Sequence, residues 1–250
     1  DSDIKLQKPF TQINEVTEYY SIGEEESGDD KTYLSYNMSI GTSLNREEYL
    51  AFQVIDYVLL DAPGAPLKQA LLDAGIGKDI LSSYDNGILQ PMLSIIAKYT
   101  EEDKKEEFIN VIHSTLRNIV DFGLDSKSIK AAINYYEFKY READFGSYPK
   151  GLMYGLQILD SWLYDDGKPF LHIKANDTFE FLKKSIGTGY YEGLIQKYLL
   201  DNPHSSLVVV KPKAGLTNAM EEERKKKLAE YKKSLTKEEL LQLIEDTNNL

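Results

Sequence analysis

Residues 56–77, DYVLLDAPGAPLKQALLDAGIG, end one apolar helix and open a short second one at a Pro-Gly-Ala-Pro corner. Pro66 suits a first helical position, where its missing N–H has no partner to lose, and Gly75 suits the left-handed residue that closes a helix. Between them Leu67, Ala70, Leu71 and Ala74 recur at helical spacing and make one apolar stripe.

Upstream of the corner, Asn45 and Glu48 have the spacing of a capping box, which predicts a helix from Arg46 to about Leu60. That helix is apolar nearly all round, as a central buried helix is. Before it, Val16–Gly23 and Thr32–Gly41 read as strands. In the second, Leu34, Tyr36, Met38 and Ile40 alternate against Tyr33, Ser35, Asn37 and Ser39, so one face of the sheet is covered.

Downstream, residues 79–97 read as a second hairpin turning near Asp85, Asn86 and Gly87, with Pro91 at an edge or bulge because it cannot donate to a ladder. Two amphipathic helices follow, striped by Phe108, Val111, Ile112, Thr115, Leu116 and Ile119 and by Ile129, Ala132, Ile133, Tyr136 and Tyr140. Pro149 starts a further helix expected to run to Gly167. Shorter helices around Phe179 and Leu194 precede a last strand over residues 206–211. This order predicts an α+β fold, an antiparallel sheet with its helices packed on one face.

Residues 217–250 differ in character. They are helical and highly charged, with a second capping box at Thr236 and Glu239. Met220, Leu228, Tyr231 and Leu235 form only a thin apolar seam, which needs a partner helix to pack well. The segment is therefore expected to project from the domain or to pack on a neighbouring molecule.

The chain has 250 residues, 42% hydrophobic and 28% charged, enough apolar mass for one sizeable core. No run approaches the roughly 18 apolar residues of a membrane span, and neither a signal peptide nor an anchor is visible. Asp1 rather than Met at the start reads as a chain either processed or cut from something longer, an excised piece being the expectation. Zero cysteines exclude disulfides, thiolate metal sites and a cysteine nucleophile. A net charge of −12 argues against nucleic acid and anionic lipid, which require a basic face, and suits a basic or extended peptide as well as mere solubility.

Chemistry has few carriers. The three histidines, His113, His172 and His204, lack a second histidine or a carboxylate at metal-binding helical spacing. GTGYYEG, with Gly187, Gly189 and Gly193, misses the dinucleotide fingerprint by one position and reads as helix punctuation. Asp165 and Asp166 before Gly167 read as a solvated helix end rather than an acid and base. Tyr19, Tyr20, Tyr135, Tyr136, Tyr190 and Tyr191 cover a core edge or form a peptide-binding face.

The stretch 56–77, GLMYGLQILDSWLYDDGKP at 151–169, and YLLDNPHSSLVVVKPKAGL at 198–216 running into EEERKKKLAEYKKSLTKEELLQLIEDTNNL together carry a resemblance. In order and spacing they resemble the end of the amino-terminal half of a presequence-protease-like member of the insulinase, or pitrilysin, zinc metallopeptidases. The resemblance spans nearly the whole chain. It implies two halves that close like a clamshell around a peptide, each built of two related α+β domains and joined by a helical hairpin. The first domain of such a protein carries the inverted zinc motif HxxEH.

On that resemblance, residues 1–15 are the linker from an upstream domain, 16–213 a non-catalytic α+β domain, and 214–250 the first arm of the hairpin. At the helix corresponding to the zinc helix this chain reads EEYLAFQVIDYVLL, so no catalytic, cofactor-binding or metal-binding residue carries over. The implied function is that of a non-catalytic structural domain of a zinc-dependent metalloendopeptidase, the fragment itself being inactive and zinc belonging to the parent. The alternative is a domain of a catalytically dead scaffold or peptide-binding relative. The implied partners are the upstream catalytic domain and downstream half of the same polypeptide, and peptides. The compartment stays open, cytoplasmic if the source is bacterial.

Overall fold

Strands β1 (Asn14–Ile22), β2 (Thr32–Ser39), β3 (Asp79–Asp85), β4 (Met92–Thr100) and β5 (Ser205–Ala214) form one sheet in the order β1-β5-β2-β4-β3. They are seen in a computed structural model that describes residues 4–143 and 145–249. β2 is antiparallel to both β4 and β5, and β3 is antiparallel to β4. Along β2, Leu34, Tyr36 and Met38 are buried while Tyr33, Ser35, Asn37 and Ser39 are half-buried on the opposite side. The period of two in the sequence thus separates a face that packs on helices from a face that does not.

Against the covered face lies α1 (Arg46–Asp56). Asn45 caps it, its side chain accepting the Glu48 N–H at 3.2 Å. The reciprocal half of the expected capping box is replaced by a tertiary contact, because the Glu48 carboxylate accepts from the Tyr198 hydroxyl at 2.7 Å and from Lys197 at 3.3 Å. Leu50, Ala51, Phe52, Val54 and Ile55 are almost wholly buried, as expected for a central helix. The helix ends in a wide turn over Tyr57–Asp61, in which the Ala62 N–H reaches back five residues to the Tyr57 carbonyl. Val58, Leu59 and Leu60 are all buried there.

The corner at 62–66 then opens α2 (Pro66–Asp73) with Pro66 in the first turn. Its end is a Schellman arrangement: Ile76 N–H donates to the Leu71 carbonyl and Gly75 N–H to the Leu72 carbonyl, with Gly75 at φ +66°. Leu67 and Leu71 are buried. Two residues on, Gly77 sits at φ +93°, and a Cβ there would stand 2.7 Å from the Lys98 carbonyl oxygen. The hairpin β3–β4 follows. Pro91 lies just before β4, where its carbonyl accepts the Ile40 N–H at 2.7 Å and its missing N–H leaves no gap in a ladder. Between Thr32 and Leu34, β4 carries one extra residue, and Tyr99 at φ +59° marks that bulge.

The remaining helices of this layer are α3 (Lys105–Phe122), α4 (Ser126–Glu142), α5 (Lys150–Trp162), α6 (Asn176–Lys184) and α7 (Tyr190–Ile195). α3 buries Phe108, Ile112, Leu116 and Ile119, and α4 buries Ile129, Ala132 and Ile133. α5 stops at Trp162, short of the expected Gly167. The Ser161 hydroxyl donates to the Lys168 carbonyl at 2.7 Å and the Asp165 carboxylate accepts the Gly167 N–H at 2.9 Å, so the chain folds back over the helix end.

The described chain falls into two compact units. One comprises the residues up to Glu18 with Asp29–Val210, and the other Tyr19–Gly28 with the residues from Lys211 onward. In the second, the Ser21 hydroxyl accepts the Thr217 N–H and Glu24 accepts from the Asn218 amide, which anchors the start of α8 (Leu216–Ser234). α9 (Lys237–Asn248) begins with the capping box expected at Thr236 and Glu239. Met220, Leu228 and Tyr231 of α8 are all exposed.

Candidate functional site

Each histidine occupies its own surroundings. His113 on α3 meets the Tyr36 ring edge-on, centroids 5.8 Å apart, and burial together with the Arg117 guanidinium lowers its pKa. His172 is 2% exposed and lies on the Tyr49 ring, and burial pushes its pKa down to about 4. His204, just before β5, meets Phe10 edge-on at 4.9 Å. Among the described residues, no group of three or more histidine, aspartate or glutamate side chains is placed to hold a metal ion. A catalytic zinc needs about three protein ligands and an open position, and α1 offers Glu47 and Glu48 but no histidine. The donor set does not fit zinc.

The other motifs resolve as local structure. Asp165 caps a turn, its pKa lowered by the Gly167 N–H and by Lys168. Gly187 and Gly189 take φ of +74° and +83° at the entry to α7. Tyr135 and Tyr136 stand on α4 and Tyr190 and Tyr191 on α7, in the helical layer rather than on the sheet; Tyr191 donates to the Leu182 carbonyl at 2.9 Å.

The uncovered sheet face is a grid set by strand register. Ser35 stands opposite Ile96 on one side and Val208 on the other, Asn37 opposite Ser94 and Ser206, and Ser39 opposite Met92. Beyond β4 the rows continue to Leu81, Ser83 and Asp85 on β3. Asn37 is fixed at the centre, its Oδ1 accepting from the Ser35 hydroxyl at 2.8 Å and its amide donating to the Ser206 hydroxyl and carbonyl. The central rows of the face are hydroxyls, one amide and aliphatic side chains, flanked by Tyr33 on β2, Lys98 on β4 and the carboxylates Asp79 and Asp85 on the edge strand β3.

A piece of the chain without regular secondary structure lies at one end of this face. The Gln7 N–H donates to Gln90 Oε1 at 2.6 Å, and the Gln90 amide returns a hydrogen bond to the Gln7 carbonyl. Gln7 and Phe10 wall a cavity of about 290 Å³ whose other side includes Asn37, Ser39, Met92 and Ser206. One glutamine thus reads a backbone amide and carbonyl together, a sequence-independent grip on extended peptide. No sequence pattern announces it, because Gln7 and Gln90 are 83 residues apart.

Residues 1–136 match the peptidase M16 inactive domain. The chain belongs to that family. It is 42% identical over its whole length to protein HypA of Clostridium perfringens, covering 26% of that protein, and 30% identical to presequence protease 1 of Arabidopsis thaliana, covering 24% of it. The chain therefore spans about a quarter of the length of these relatives. In fold it is similar to a peptidase M16 inactive domain from Pseudomonas fluorescens (14% identity, 84% of this chain and 46% of that one, TM-score 0.52). It is also similar to the periplasmic protease PqqL from Escherichia coli (13% identity, 85% and 22%, TM-score 0.55). The α+β architecture read from the sequence is that of this family, and the chain is an inactive domain of the peptidase M16 family.

Proposed function

We propose that the chain walls a peptide chamber in a zinc-dependent metalloendopeptidase whose zinc and catalytic residues lie in other parts of the polypeptide. The observation that supports this reading best is the sheet face that no helix covers, its central rows uncharged, with a segment of the chain gripped through its backbone at one end. Unfolded peptides of varied sequence share only their backbone groups, so a surface of hydroxyls, amides and small aliphatics holds them without selecting side chains. On this reading residues 1–15 form a linker, 16–213 the domain and 214–250 an arm of an inter-half hairpin. Its partners are an upstream catalytic domain, a downstream half and the peptide.

The test uses the parent polypeptide. Asn37→Arg places a long cation in the middle of the face. Cleavage of extended, quenched peptides is expected to fall in kcat/KM while zinc content stays at the parent value. Unchanged cleavage with the substituted face would overturn the reading.

A further inference from the structure

α1 is buried, yet one stripe of it is polar: Tyr49, Gln53 and Asp56 recur at i, i+4 and i+7. The helices packed beside it answer in kind. α4 presents Tyr136 and Tyr140, one turn apart, and α5 presents Gln157 and Asp160. Gln53, Tyr136, Tyr140 and Gln157, with Phe145 and Tyr154, line a cavity of about 500 Å³. That volume is in the range that holds small ligands.

Polar atoms in and behind this lining are incompletely satisfied: Gln53 belongs to the lining, while Asp56, whose carboxylate also accepts from Ser82, and Tyr84 stand behind it. Tyr49 donates to Asp160 at 2.9 Å, but Gln53 Oε1, Asp56 Oδ1 and the Tyr84 hydroxyl are buried with no hydrogen-bonding partner. Buried polar atoms of native proteins are ordinarily paired, so the unpartnered Gln53 Oε1 in the lining points to a group that supplies a donor. Two of the three can only accept. The carboxylates Asp56 and Asp160 lie one turn from the lining residues Gln53 and Gln157, and burial raises the pKa of both. The lining includes three phenols and one phenyl ring, Tyr136, Tyr140, Tyr154 and Phe145. The one lysine in the lining, Lys139, has its ammonium 3.2 Å from the Tyr135 hydroxyl and 5.0 Å from the Tyr135 ring centroid. Tyr135 lies outside the lining, so that ammonium already has a partner there.

Unpartnered acceptors, flanking carboxylates and aromatic faces together recognise an organic cation rather than an anion or a bare metal ion. The carboxylate compensates the charge, the amide carbonyl orients the N–H groups and the rings contact the cation through their π faces. We propose that the cavity between α1, α4 and α5 binds an alkylguanidinium or alkylammonium group. The site lies in the helical layer and does not depend on the sheet face being a chamber wall.

The 250-residue chain is titrated by calorimetry with agmatine, with the peptide acetyl-Ala-Arg-Ala-amide, and with the same peptide carrying citrulline for arginine. Saturable binding of agmatine supports a free cation as ligand; binding of the arginine peptide alone supports docking of a side chain. In either case the citrulline peptide is expected to bind at least about tenfold more weakly, since it keeps the shape and loses the charge. Asp56→Asn, an isosteric change, is expected to weaken binding about tenfold, and Gln53→Leu to do the same. Phe122→Ser, at an exposed site on α3, leaves it unchanged. Equal binding of the citrulline peptide, no binding of either cation, or undiminished binding by both folded cavity variants overturns the proposal.

Discussion

The His172 imidazole lies stacked on the Tyr49 phenol ring, centroids 3.8 Å apart and planes 24° from parallel, while the Tyr49 hydroxyl donates to Asp160 at 2.9 Å. A residue from the connection before α6 thereby sits over the start of the polar stripe of α1. His172 is held neutral there: burial brings it to about 4 from an ordinary 6.5. At the other end of the stripe burial brings Asp56 to about 6 from 3.8.

These two shifts make stability depend on pH in opposite directions. As pH falls below about 6.5 the unfolded chain protonates His172 and the native one does not, so stability is lost down to about pH 4, by roughly 3 kcal/mol. As pH rises from 3.8 the unfolded chain ionises Asp56 first, so stability is lost up to about pH 6, again by roughly 3 kcal/mol. The two nearly cancel over pH 4–6 in the native sequence. Urea midpoints are expected to rise with pH over that window in Asp56→Asn and to fall in His172→Phe. Parallel curves for both variants and the parent would show that neither group is shifted.

Asp56→Asn is also expected to raise stability above pH 7 by about 1–3 kcal/mol, because an amide avoids the cost of a buried unpartnered carboxylate oxygen. The same change weakens the proposed cation site. Thermal unfolding and ligand titration on one sample read both effects, and a stabilised variant with undiminished affinity would separate Asp56 from that site.

Gly77→Ala is expected to cost clearly more than Gly64→Ala. Both glycines have positive φ, +93° and +74°, but only at Gly77 does the added Cβ meet a backbone oxygen, at 2.7 Å, whereas nothing lies within 4 Å of one at Gly64. Left-handed strain alone costs about 1–2 kcal/mol, and the clash with a ladder carbonyl adds to it. Equal losses in denaturant midpoint would mean that the Lys98 strand moves freely.

Leu71→Ala, at 0% exposure, is expected to lose about 2–5 kcal/mol. Leu228→Ala, 58% exposed on α8, is expected to stay within about 0.5 kcal/mol in the isolated chain. A large loss at Leu228 would mean that the seam of α8 is already packed.

The isolated chain is expected to retain no stoichiometric zinc after dialysis and to cleave no peptide, since its histidines sit on separate elements with separate partners. Elemental analysis and a quenched-peptide assay check this. One tightly held zinc, or turnover abolished by a chelator, would contradict it.

What the sequence determined alone is whatever local chemistry decides. Pro66 and Gly75 bound α2 because one lacks an N–H and the other a Cβ, and the alternation in β2 marked the covered face before any partner strand was known. The three quoted blocks carried the family. Tertiary structure decided the rest, because it depends on groups far apart in the chain. The wide turn at Tyr57–Asp61 follows no residue signal, and Glu48 trades its reciprocal cap for Tyr198, 150 residues away. Strand register, which sets Asn37 beside Ser94 and Ser206, left the central rows of the uncovered face uncharged even though the chain carries a net charge of −12. The polar stripe Tyr49–Gln53–Asp56 looked like ordinary interruptions of an apolar helix. Only the packing of α4 and α5 beside it turned those interruptions into the wall of a cavity, since a helix has no interior to enclose until its neighbours supply the other sides.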